Sequence, residues 1–209
     1  MTAPTINALM IADPPEAWAG AGFTVDDETC VVGQVRLQLV GRDGDRKRIL
    51  SWSLRGVPEG TESIDGLTTT RSDEPMPSPV THANGAELID HVVIMSPDVD
   101  RTIAALNTVG LDTLRTRHVD PEQYGFEARQ TFFRLGEVIL ELIGPNEPQG
   151  DGPAAFFGLA YTVTDIDALA ELYGEHLGRV KDAVQPGRRI TTLRHKELGL
   201  SVATAFMSH

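Results

Sequence analysis

A single cysteine, Cys30, is all the thiol chemistry this 209-residue chain carries. No intrachain disulfide can form, which suits a reducing compartment. No His or basic run beside Cys30 would make it a thiolate, so it reads as a small buried residue. Long apolar runs are also missing: none approaches the roughly 20 residues needed to span a bilayer. The N-terminus has no basic start, apolar run and cleavage site in sequence, so a signal peptide is not expected and a cytoplasmic location is. Positive charge is scarce, with 18 Lys and Arg against 30 Asp and Glu for a net −12. Nucleic acid and anionic membranes both demand a basic surface, so neither is an expected partner. Arg46-Lys47-Arg48 is the one basic cluster, and Asp43 and Asp45 stand beside it. There is no phosphate-cradling glycine loop, since Gly20 and Gly22 lack the spacing and the long helix that follows. A Gly-x-Ser-x-Gly elbow is absent too. What remains is a small-molecule ligand or a protein partner, a second copy of the chain included.

With 41% hydrophobic residues the chain can bury a full core, and the arrangement of those residues repeats. From Leu88 a β-rich stretch would carry Ile89, His91, Val93 and Met95 inward. Ser96-Pro97-Asp98 opens a helix with Ser96 as candidate cap, its buried face would hold Val99, Ile103, Leu106 and Val109, and Gly110 ends it. Extended segments follow at 112–119, 127–135 and 137–143, the last two joined by a hairpin at Arg134 to Glu137. The same order returns after Ala155: a strand to Val163, a helix capped at Thr164-Asp165, Gly178, then extended segments at 179–184, 188–194 and 200–206. A shorter copy opens the chain, with a strand at 6–11, a helix from Asp13, and extended segments at 23–26, 29–40 and 48–54. These readings give an α+β fold of repeated βαβββ modules. The expected division is a degenerate module at 1–57, a Pro- and Ser-rich linker at 58–85, and a two-module domain at 86–209, with modules at 86–145 and 155–207.

Asp90-His91, Ser96-Pro97-Asp98, Gly110 and Glu137-Val-Ile-Leu-Glu141-Leu together resemble the vicinal oxygen chelate superfamily, which includes glyoxalase I, bleomycin-resistance proteins, fosfomycin-resistance enzymes and extradiol dioxygenases. The resemblance covers residues 86–207 well and 4–57 weakly. It implies paired modules whose curved mixed sheets join at their edges around a cleft, with a divalent metal (Zn, Fe, Mn or Ni) held by residues of the first and fourth strands. It also implies pairing within one chain or between two, so three modules leave one to cap an edge or form a homodimer.

The resemblance places the first-strand ligand at His91 and the fourth-strand ligand at Glu141, which also serves as candidate catalytic carboxylate. Matching positions are Gly158 and Thr204 in the last module, and Ile6 with Ser51 or Ser53 in the first. None is a primary ligand, and His118, His195 or a residue from a second chain would have to complete a three-ligand set. With Leu135-Gly136 as the hairpin turn, Gln130 and Phe132 lie opposite Glu141 and Ile139 and become candidate substrate contacts, while Arg129 points away. Phe157 and Tyr161 read as core, and Arg188, Arg189 and His195 as solvated. The activity implied is a metal-dependent lyase, isomerase or dioxygenase acting on a small oxygenated substrate. The alternatives are metal-free ligand sequestration and a structural or regulatory dimer.

Overall fold

The computed structural model describes residues 3–119 and 127–209. Among the described residues, two mixed sheets and three short α-helices make up the fold. The first sheet contains β1 (Thr5–Ile11), β2 (Val25–Asp26), β3 (Thr29–Val32), β4 (Val35–Leu39), β5 (Ile49–Arg55), β6 (Ser63–Ile64) and β7 (Leu67–Arg71), in the spatial order β2-β3-β4-β1-β5-β7-β6. The second contains β8 (Ala86–Met95), β9 (Thr113–Val119), β10 (Ala128–Leu135), β11 (Val138–Pro145), β12 (Ala155–Val163), β13 (Lys181–Asp182), β14 (Arg189–Thr192) and β15 (Ala203–Met207), in the order β13-β14-β15-β12-β8-β11-β10-β9. Helices α1 (Pro15–Gly20), α2 (Val99–Thr108) and α3 (Ile166–Tyr173) follow β1, β8 and β12. Among the described residues, no helix is long and apolar enough to cross a membrane.

Strand directions show how the units pair. In the second sheet β11 runs parallel to β8, β15 parallel to β12, and β12 antiparallel to β8. Two units therefore join along their first strands. The first sheet repeats this logic: β4 is parallel to β1, β7 parallel to β5, and β5 antiparallel to β1. This corrects the reading of 58–85 as linker, because β6 and β7 lie inside it. Strands β5, β6 and β7 are the remnant of a fourth unit without its helix. Each unit thus has its partner in its own sheet, and no odd unit is left over.

A second correction concerns Thr29 to Val40, which is a hairpin and not one strand. Gly33, at φ +59°, makes its turn. Helix α2 starts one residue after Asp98, whose carboxylate accepts the Arg101 backbone N–H at 3.0 Å. Ser96, expected as the cap, instead accepts from the Asp98 N–H at 3.0 Å. Asp165 caps α3 as expected, accepting from the Asp167 and Ala168 N–H groups.

The core lies between the two sheets. Trp52 meets Phe156 edge-on at 5.3 Å, and Phe23 packs on Trp18 at 5.0 Å and Tyr161 at 5.2 Å. The tryptophan N–H groups stay satisfied, Trp52 on Thr69 at 2.7 Å and Trp18 on Asp13 at 3.3 Å. Asp65, in the turn between β6 and β7, receives Arg101 of α2 at 2.7 Å, which ties the remnant unit to the second sheet.

One irregularity recurs in all four first strands. The register skips Asn7 in β1, Leu50 in β5, Asp90 in β8 and Phe157 in β12. A bulge of this kind adds a residue and reverses the alternation beyond it. In β8 it sends Ile89 to the buried face with Val92 and Ile94. It also lets two consecutive residues, Asp90 and His91, face the same cleft. Plain alternation put Ile89 beside His91, and the bulge overturns that.

Candidate active site

The exposed, concave face of the second sheet encloses a cavity of about 610 Å³. Cross-strand register fixes its floor. His91 lies beside Ile139 and Arg134; Val93 beside Glu141, Phe132 and Arg115; Met95 beside Ile143, Gln130 and Arg117. The hairpin turn is Gly136-Glu137, with Leu135 paired to Val138, so Phe132 and not Gln130 stands opposite Glu141. The offset from the expected register is two residues, which leaves both on the cleft face. Arg129 points away and binds Asp100 of α2 at 2.8 Å. Phe157, expected in the core, is 42% exposed and lines the cavity because it is the bulge residue of β12.

At the floor, two carboxylates flank one imidazole. His91 Nδ1 is 3.0 Å from Asp90 Oδ1, and His91 Nε2 is 3.3 Å from Glu141 Oε2. An ionised Asp90 can only accept, so Nδ1 carries the proton and Nε2 is the nitrogen that faces Glu141. Asp90 also takes Arg188 at 2.6 Å and the Thr162 hydroxyl at 3.0 Å. Burial by itself would raise the Asp90 carboxyl, but the hydrogen bonds and charges of His91 and Arg188 hold it well below the usual range. Arg188 was read as solvated; its role lies here, on Asp90.

Glu141 behaves in the opposite way. It is 7% exposed, and burial raises its carboxyl despite the opposing charges of His91, Arg117 and Arg115 and the hydrogen bond from Gln130. Gln130 Nε2 donates to Glu141 Oε1 at 2.6 Å, and Arg117 Nε donates to Gln130 Oε1. This chain fixes Oε1 and leaves Oε2 toward Nε2 and the cavity. With the ring proton on Nδ1, Nε2 turns its lone pair toward Oε2, so the two atoms can take up one proton between them.

The same two atoms are those expected to ligate a metal, and the structure does bring them together. A catalytic metal site keeps about three protein ligands. Among the described residues, no three His, Cys, Asp or Glu side chains converge as such a set. Register explains the shortfall. Glu141 lies two positions beyond Ile139, the partner of His91; the same step on β12 and β15 leads from Gly158–Ala203 to Ala205, so the counterpart is Ala205 and not Thr204. Gly158 has no room for a side chain, since a Cβ there would lie 2.5 Å from the Ala203 carbonyl oxygen. In the first sheet the bulges match His91 to Ala8 and Ser51, and not to Ile6. His118 is bonded to Asn146 at 3.1 Å and lies outside the cavity lining, as does His195. The described residues do not fit a resident metal of the expected kind.

Residues 90–192 match the family model described as Glyoxalase/Bleomycin resistance protein/Dioxygenase superfamily. Among solved structures, a variant of 4-hydroxymandelate synthase from Streptomyces coelicolor aligns over 98% of this chain and 92% of its own, at 12% identity and a TM-score of 0.65. A halotolerant catechol dioxygenase, BphC, aligns over 98% of this chain and 86% of its own, at 9% identity and a TM-score of 0.62. Methylmalonyl-CoA epimerase from Mycobacterium tuberculosis aligns over 59% of this chain and 89% of its own, at 18% identity and a TM-score of 0.47. No curated protein sequence matches the chain. The likeness to the first two structures is one of fold and runs nearly from end to end, and the match to the glyoxalase/bleomycin resistance/dioxygenase family model covers residues 90–192, within the second sheet.

Proposed function

We propose that the cleft of the second sheet catalyses proton transfer on a small oxygenated substrate, as an isomerase, epimerase or lyase of this superfamily does, with Glu141 as the base. The observation that carries this reading is one imidazole held between two carboxylates of opposite character, Asp90 and Glu141. The raised Glu141 carboxyl makes its anion a stronger base than an exposed carboxylate, as abstraction of a proton next to a carbonyl requires. Glu141 Oε2 takes the proton from carbon, and His91 Nε2 stands at 3.3 Å to share it and return it. Asp90 keeps the imidazole in the right tautomer, and Gln130 fixes the other carboxylate oxygen. Phe132, Val93, Ile139 and Ile143 supply an apolar floor for the rest of the substrate.

The test is solvent-deuterium incorporation next to the carbonyl in a panel of small oxo compounds, followed by NMR with the wild type and Glu141→Gln. Incorporation by the wild type that falls by about a hundredfold or more in Glu141→Gln supports the reading. Compounds that bind and never exchange would instead make the cleft a sequestering site.

A further inference from the structure

Eight arginines of the described residues pair with carboxylates, among them Arg36 with Glu74, Arg71 with Asp73, Arg101 with Asp65 and Arg189 with Asp167. That is the natural outcome when acidic residues outnumber basic ones by 30 to 18. The cleft gathers four cations that have no such pair. Arg115, Arg117, Arg134 and Lys181 line it, and among the described residues none of the four has an ion-pair partner. Their acidic neighbours in the cavity are Asp90, Glu141 and Asp182. Asp90 is already neutralised by Arg188, and Glu141 is joined to His91. The Arg115 guanidinium carbon lies 4.6 Å above the Phe132 ring and that of Arg117 5.7 Å from it. Two like charges thus crowd one aromatic ring, an arrangement that costs energy until an anion arrives.

We infer that the substrate of the cleft is an organic anion, a carboxylate or phosphate ester with a compact apolar body. Its charged end lies on Arg115 and Arg117, and its body lies over Phe132 toward Ile139 and Glu141. The inference rests on the proposed reaction for the direction of the reacting end alone; binding of the anion stands or falls by itself. Arg115 is pre-oriented by its stack on Phe132, so little conformational freedom is lost when its planar fork meets an oxyanion. The net −12 of the whole chain repels anions at long range, so recognition must come from this local wall and must weaken with salt.

Calorimetric titration with benzoate, phenyl phosphate and the neutral isostere benzamide tests this on the wild type, Arg115→Gln, Arg117→Gln, Arg129→Gln and Glu141→Gln. At least one anion should bind about tenfold more tightly than benzamide, and which one does separates the carboxylate from the phosphate source. Arg115→Gln should lose about that factor while Arg129→Gln, whose guanidinium is on the other face, leaves it unchanged. Glu141→Gln should keep or improve anion binding even where exchange is abolished, so failure of the reaction and failure of the anion site read out separately. Equal affinity for benzamide and both anions, or an Arg115→Gln variant that binds like the wild type, overturns the inference.

Discussion

Replacing Asp90 by Asn changes one oxygen to an NH₂ group and should reverse the proton order of the whole site. The wild-type carboxylate receives three donors: His91 Nδ1 at 3.0 Å, Arg188 at 2.6 Å and Thr162 at 3.0 Å. A carboxamide has one acceptor oxygen, which stays with Arg188 and Thr162. Its NH₂ group then points at His91 Nδ1, which must become an acceptor, and the ring proton moves to Nε2. Hydrogen bonds to a charged group contribute about 1.5–3 kcal/mol and neutral ones about 0.5–1.5, so each of the three contacts loses up to about 1 kcal/mol. Solvent at the part-exposed Arg188 side chain trims the sum to about 1–2 kcal/mol. In a chain of this length that lowers Tm by about 2–8 °C. The sign with pH follows from the lowered Asp90 carboxyl. Its stabilisation is present above the ordinary Asp value of about 3.9 and fades as pH falls from there toward the folded value, so the deficit of the variant should be full at neutral pH and narrow only in strong acid. Calorimetry gives the stability, and ¹⁵N-edited NMR of the imidazole reads which nitrogen is protonated. An unchanged tautomer together with an unchanged Tm would refute the arrangement described for the site.

Three further perturbations probe the scaffold. The buried His82 accepts the Thr24 N–H on Nδ1 at 2.9 Å and donates from Nε2 to the Val31 carbonyl at 2.9 Å, and burial lowers its pKa. Acid must protonate the acceptor nitrogen, so stability should fall as pH drops below the ordinary imidazole value of about 6.5, and His82→Ala should be less stable at neutral pH but flatter across that range. A pH–Tm profile parallel to the wild type in His82→Ala would contradict this. Gly66, at φ +88°, would carry its Cβ 2.2 Å from that of Pro153, so Gly66→Ala should cost about 2–4 kcal/mol by urea denaturation; a loss under about 0.5 would mean the remnant hairpin does not pack there. Burial pushes the Cys30 thiol up to about 12, so a disulfide reagent at pH 8 should label it only in denaturant, and fast labelling of native protein would contradict its placement between the sheets.

Period and punctuation carried much of the fold. The apolar alternation and the Asp–helix–Gly order located β8 to β15 and their helices to within a few residues, and strand alternation placed Glu141, Gln130 and Phe132 on one face. Bulges were invisible, because a one-residue skip leaves no compositional trace, and Ile89 and Phe157 went to the wrong environments for that reason. The fourth unit stayed hidden for a related cause: Leu67-Thr-Thr-Thr-Arg71 buries only Leu67 and Thr69, too little apolar pattern to stand out from the Pro and Ser around it. The arginine wall did leave a signal, in the i, i+2 spacing of Arg115 and Arg117 on a strand. Its meaning depended on the absence of carboxylate partners, which only the folded arrangement reveals.

The most direct test of the account is deuterium exchange by the wild type before and after exhaustive chelation, followed by addition of Zn, Mn, Fe or Ni. A proton-transfer pair made of Glu141 and His91 predicts an exchange rate unchanged by chelator or metal and lost in Glu141→Gln. Exchange that disappears on chelation and returns with one of these ions would contradict it, and would make His91 and Glu141 ligands of that metal.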